Sequence, residues 1–124
     1  MHELSVAHAL VNASVEALSD DDGTPLVAVQ EVHVRLGVMS GVVRGSLEFA
    51  FDVAVEGTAL AGSTLVVREV PVSVFCSGCD IVVELPGTTS FVCPVCQTPS
   101  GDLRSGREVE LVRLVLLDAV DEVA

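Results

Sequence analysis

The sequence predicts an α+β fold: a small mixed three-stranded sheet with two helices on one face, plus an inserted four-cysteine domain of zinc-ribbon type. Three observations predict it. Apolar residues recur at helical spacing in two segments and at alternate positions in three others. Half of the 124 residues are hydrophobic, yet there are four Phe and no Trp or Tyr, so valine and leucine must fill the core. Between residues 75 and 103 both patterns give way to cysteines, prolines, glycines and short polar turns.

The elements follow in order. Residues 4–18 read as an amphipathic helix with Leu4, His8, Val11, Val15 and Leu18 on one stripe. Its cap falls at Glu3 or Ser5. His8, on an otherwise apolar stripe, is expected to be partly buried with one hydrogen bond. The breaker cluster Asp20-Asp21-Asp22-Gly23-Thr24-Pro25 ends the helix as a solvated acidic loop. Residues 27–36 form a strand, with Val32, Val34 and Leu36 inward and Glu31, His33 and Arg35 outward. His33 is thus expected as a plain surface residue. Gly37 and Gly41 bracket a turn. Residues 43–55 predict the second helix, with Leu47, Ala50, Phe51 and Ala54 on its inner side and Gly57 near its C-terminal end. Residues 64–74 are a strand rich in β-branched residues, and 108–117 return to a β pattern. The apolar phase slips between Leu111 and Val112, which predicts a bulge or burial on both faces. Residues 118–124 are an acidic tail.

The strand–helix–strand succession predicts parallel neighbours with a right-handed crossover. The strands flanking the insert are expected to pair antiparallel across its base. The frame is therefore 1–74 and 104–124, and the insert 75–103.

Charge excludes whole classes of function. Six arginines and no lysine face eighteen acids, a net charge of −12. Phosphate-backbone binding needs clustered cations, so no nucleic-acid partner is expected. Without lysine there is no phosphate loop of the Walker type, and any nucleotide hydrolysis must belong to another protein. The serines and histidines form no nucleophile–base pattern. The opening lacks a basic segment followed by an apolar one, and no apolar run is long enough to span a bilayer. No membrane association and a cytoplasmic location are expected.

In that compartment disulfides are rare, so paired cysteines read as metal ligands. Cys76-x2-Cys79 and Cys93-x2-Cys96 are separated by thirteen residues, and each is a knuckle that can place two thiolates on one metal edge. Zinc takes four such ligands tetrahedrally and leaves no open position for hydrolytic chemistry. Iron in the same cage would imply redox work. Gly78 is expected to allow the tight turn of the first knuckle and Pro94 to stiffen the second. Phe75 and Phe91 are expected to pack against the site. A segment too short for its own core takes its folding energy from the metal.

A second site of opposite character opens the chain. In Met1-His2-Glu3 the imidazole of His2 and its own amide nitrogen close a chelate ring on one metal, and main-chain nitrogens of Met1 or Glu3 extend it. Tetragonal nitrogen and oxygen ligation suits nickel(II) or copper(II), which promote amide deprotonation. Glu3 adds a carboxylate oxygen or acts from behind the ligands.

The opening Met1-His2-Glu3-Leu4-Ser5, the segment Gly37-Val38-Met39-Ser40-Gly41-Val42, Phe49-Ala50-Phe51, the four-cysteine insert and Ser105-Gly106-Arg107-Glu108 occur in this order along nearly the whole chain. Together they resemble the HypA/HybF family of hydrogenase maturation factors. The resemblance implies a nickel metallochaperone rather than an enzyme, with Ni(II) held at His2 and nearby backbone nitrogens and structural Zn(II) at Cys76, Cys79, Cys93 and Cys96. It also implies a HypB-type nickel GTPase as partner and the large subunit of a [NiFe]-hydrogenase as client. Two positions depart from the family pattern. Val38 stands where an acid often follows the first strand's glycine, which removes an auxiliary carboxylate. Gln97 stands where glycine commonly follows the second knuckle. The competing reading is a zinc-ribbon protein-interaction module whose amino terminus is incidental.

Overall fold

The computed structural model describes residues 3–18 and 28–117. Met1, His2, the acidic loop expected at 20–25 and the tail expected at 118–124 lie outside the described residues.

Helix α1 spans Glu3–Leu18 and buries Ala7, Leu10, Val11 and Ser14. This corrects the expected stripe at its start: Leu4 is 47% exposed and His8 is exposed, while Val11 is buried and Val15 and Leu18 are half-buried. Periodicity fits two stripes here, because alanines and a serine can face either way. Helix α1 packs on α2, and the hydroxyl of buried Ser14 is satisfied by the Leu10 carbonyl at 2.7 Å. Helix α2, Arg44–Ala54, buries the four residues expected of it: Leu47, Ala50, Phe51 and Ala54. Gly57 follows in the left-handed region at φ +76°.

Strands β1 (Val29–Gly37), β2 (Thr64–Val70) and β6 (Val109–Leu116) form a sheet of order β2-β1-β6. The Val29 amide bonds to Ala59 O ahead of β2, and the Val38 amide bonds to Val70 O at its end, so β1 and β2 run parallel. The Leu117 amide bonds to Ala28 O and the Gly37 amide to Glu108 O, so β6 runs antiparallel to β1. Val32, Val34 and Leu36 are buried as the alternation requires. His33 is no plain surface residue. It is half-buried, and its Nε2 lies 2.8 Å from Glu31 Oε1, two residues away on the same face of β1. In β6 no residue is fully buried; Leu111 and Leu114 are half-buried, while Val112 between them is 53% exposed. The phase slip is therefore that of an edge strand, wetted on both faces.

The single strand expected over 64–74 is two. Pro71 donates no N–H, so the ladder stops at Val70 and resumes as β3, Ser73–Cys76. The second sheet has order β4-β3-β5, with β4 Ile81–Glu84 and β5 Leu103–Ser105. Strand β3 pairs antiparallel with β4 (Val74 opposite Val83) and with β5 (Ser73 opposite Ser105). The antiparallel pairing across the base of the insert is thus made by β3 and β5, whereas β1 separates β2 from β6.

The chain divides into two compact units: Met1–Val34 with Val43–Val67 and Leu111–Ala124, and Arg35–Val42 with Arg68–Glu110. In the second, two glycines meet backbone to backbone. A Cβ at Gly37 would collide with Gly106 O and lie 2.6 Å from Arg107 N. The turn that follows is pinned there by the Met39 amide on Gly106 O at 2.7 Å.

Candidate metal centre

Strand β3 delivers Cys76, and its partner β4 begins five residues later, so the chain must reverse tightly between them. Cys76 caps that reversal. Its carbonyl accepts the Asp80 amide at 2.7 Å and its sulfur accepts the Cys79 amide at 3.4 Å. Asp80 takes φ +57° to complete the knuckle. The second knuckle repeats the geometry. The Cys93 carbonyl accepts the Gln97 amide at 2.8 Å, Cys93 Sγ accepts the Val95 amide at 3.4 Å, and Gln97 takes φ +63°. The left-handed region favours glycine, which gives a physical meaning to Gln97: the turn is kept and its strain accepted.

The four sulfurs converge. All lie within 4.8 Å of one another, with Cys76 to Cys96 at 3.4 Å and Cys79 to Cys93 at 3.9 Å. No disulfide joins them. A Zn–S bond of about 2.3 Å makes a tetrahedron with an edge of about 3.8 Å, which these separations bracket. The site therefore suits zinc in donor type, number and spacing.

Gly78 is needed for close approach rather than for a left-handed turn. A Cβ there would sit 2.9 Å from Thr98 Oγ1 and 3.2 Å from Cys96 Sγ. Phe91 packs on the small core beneath the knuckles, which consists of Val72, Val74, Val83, Leu85 and the two first cysteines. Phe75 instead lies under the Arg104 guanidinium, 5.0 Å from its ring centre, while Asp102 fixes that arginine through two bonds of 3.0 Å.

The thiols are inequivalent. Cys76 and Cys93 are fully buried, Cys79 is half-buried and Cys96 exposed. The Thr98 hydroxyl, 3.1 Å away, and the Thr98 amide favour the Cys96 thiolate and hold it down to about 6. The Cys96 amide draws Cys93 down as well. Cys79 keeps its proton, pushed up to about 12 by its hydrogen bond to Cys96 and by burial. The Cys79 amide favours the Cys76 thiolate, but burial and the neighbouring thiols outweigh it and raise that group. Cys96 is thus biased toward the thiolate, and Cys93 is shifted in the same direction. Thr98 is the functional neighbour that sequence reasoning missed: a threonine two residues past a cysteine carries no signal until the fold brings them together.

Of the amino-terminal group, His2 and Met1 lie outside the described residues. Glu3 is half-buried on the first turn of α1, and its Oε2 accepts the Val43 amide at 3.1 Å, at the start of α2. One carboxylate oxygen therefore fastens the opening of one helix to the opening of the other. Among the described residues, the cysteine cluster is the one group of three or more potential ligands close enough to share an ion.

Comparison with known proteins gives the same direction. A family model described as hydrogenase/urease nickel incorporation, metallochaperone, hypA matches residues 1–116. The hydrogenase maturation factor HypA of Chloroflexus aggregans is 46% identical over 114 residues, covering 92% of this chain and 97% of that protein. HypA of a Roseiflexus species is 45% identical over 122 residues, covering 98% of this chain and 97% of its own. The solution structure of the Ni metallochaperone HypA from Helicobacter pylori matches with a TM-score of 0.63 at 22% identity, over 94% of this chain and 98% of that one. At that identity the likeness establishes the fold.

Proposed function

This chain belongs to the HypA family of hydrogenase and urease nickel-incorporation metallochaperones, and from that premise we propose how its own residues divide the work. Nickel(II) is the cargo. It binds at the amino terminus through the His2 imidazole and main-chain nitrogens of His2 and of Met1 or Glu3, a tetragonal nitrogen set that suits this ion. Glu3 acts from behind those ligands, because one of its oxygens already holds the Val43 amide. Zinc(II) is resident and structural at Cys76, Cys79, Cys93 and Cys96, in a cage whose spacing suits tetrahedral sulfur. The nickel-handling part is 1–74 with 104–124, and the zinc-handling insert 75–103.

The protein catalyses no covalent step. It passes nickel, with a HypB-type nickel GTPase as partner, to the large subunit of a [NiFe]-hydrogenase in the cytoplasm. Among the described residues no helix is long and apolar enough to cross a membrane. The observation that carries the reading is the family match, which spans residues 1–116 and so takes in Met1-His2-Glu3 as well as the four cysteines.

Calorimetric nickel titration of the intact chain and of His2→Ala tests it. Loss of stoichiometric nickel binding, with zinc content and helical signal unchanged, is expected. Equal nickel affinity in both proteins overturns the amino-terminal site and leaves the zinc-ribbon interaction module.

A further inference from the structure

One face of α2 stands outside the cysteine cluster. The helix buries Leu47, Ala50, Phe51 and Ala54, yet leaves Phe49 73% and Val53 46% exposed. These two are four residues apart and stand on one outward stripe. The segment Phe49-Ala50-Phe51 thus splits: two of its residues build the core, while the third places a large ring in water where it gains the fold nothing.

The charges beside this stripe run against the helix. The first turn of α2 holds no acid and its last turn no base; Arg44 opens it, Asp52 lies in its last turn and Glu56 just beyond. A macrodipole disfavours that order, and like charges four apart repel. Arg44 pairs with Glu48 at 3.6 Å, whereas neither Asp52 nor Glu56 makes an ion pair with another described residue. A cation seated beside Asp52 and Glu56 would relieve both conflicts.

We infer that this face of α2 is a docking surface for a partner protein that presents an apolar pocket bordered by arginine or lysine. Phe49 and Val53 fill the pocket, and Asp52 and Glu56 meet its cations. A second copy of this chain is a poor fit. The unit that holds α2 carries twelve acids against two arginines, and the chain has no lysine. The same charge repels an anionic lipid surface. A contact of two turns is small and short-lived, as a carrier that must let go requires. The inference rests on the partner reading above, and the HypB-type GTPase is the partner it is tested on.

The test is calorimetry of the full chain with purified GTPase at low and high salt, with Tm measured for each variant. Phe49→Ala is expected to weaken binding by about tenfold or more while Tm stays put, because the ring is already in water. The double variant D52N/E56Q is expected to bind more weakly and lose its salt dependence, yet melt higher than the parent. Variants that bind like a binding parent overturn the surface and leave the partner reading standing. A parent that does not bind the GTPase overturns both. A parent dimer that Phe49→Ala converts to monomer in light scattering overturns the inference by assigning the face to self-association.

Discussion

All three histidines of this chain fall in one compact unit and all four cysteines in the other. The units also differ in charge. The histidine unit carries twelve acids and two arginines, the cysteine unit six acids and four arginines. Their cores differ in kind. The first is built from side chains on α1, α2 and the sheet, among them Leu10, Val32, Leu47 and Phe51, all 6% exposed or less. The second is a cluster of six buried residues, of which two are cysteines. One unit therefore folds around hydrocarbon and has nitrogen ligands to spare. The other has a small core of Val72, Val74, Val83 and Leu85 closed by two cysteines, and an ion held by the sulfurs would add folding free energy that so small a core lacks. A chain that keeps one ion and passes on another gains from this separation, because borderline nitrogen and soft thiolate select different cations.

The comparison breaks most readily at the cage. Removing zinc with a chelator, or substituting Cys76→Ser, should cost the cysteine unit metal-linked folding free energy on the order of 10 kcal/mol. Hydrogen exchange should then show β3 and β4 amides open while α1 and α2 stay protected. Loss of protection in the helices too would mean that the units do not fold on separate accounts. The converse substitution, Phe51→Ala, empties the hydrocarbon core and should cost about 3–5 kcal/mol in denaturant unfolding. Zinc stoichiometry by elemental analysis should remain one per chain.

Smaller changes sharpen the contrast inside the cage. Gln97→Gly relieves a left-handed residue at φ +63° and should stabilise the zinc-loaded protein by about 0.5–1 kcal/mol in thermal unfolding. The least change is one of pH. Thr98 holds Cys96 at about 6, below its ordinary 9.0. In the fraction of zinc-free chains whose cysteine unit is closed, the thiolate's stabilisation is therefore complete above pH 9 and is lost as pH falls through about 6. In zinc-loaded protein, where the cysteine unit is closed, alkylation followed by peptide mass spectrometry should mark exposed Cys96 ahead of half-buried Cys79. Equal labelling of Cys79 and Cys96 would remove the asymmetry.

The elements with one dominant period were legible from the chain. Helix α2 reads correctly to its inner four residues because Leu47, Ala50, Phe51 and Ala54 leave no second stripe of equal weight. Helix α1 offers two, and only the fold decided that the stripe with Ala7 and Ser14 is the buried one. The break at Pro71 was written in the sequence but outweighed by the β-branched run around it. The half-burial of His33 against Glu31 was not written at all. Alternation assigns a side of the sheet, while neighbouring strands decide how wet that side is.

The pairing of the four thiols into knuckles and their convergence on one cluster followed from spacing alone, because a Cys-x-x-Cys turn has few ways to close and four such sulfurs suit one tetrahedral ion. Tertiary structure decided which thiols hold protons, since that depends on Thr98 and on burial contributed by residues distant in the chain. It also decided that Gly78 is small to make room for Cys96 and Thr98, and that Phe49 faces water while Phe51 does not. Local patterns fix which atoms can bond within a turn or two, whereas acidity, exposure and clearance are set by whatever the fold places beside them.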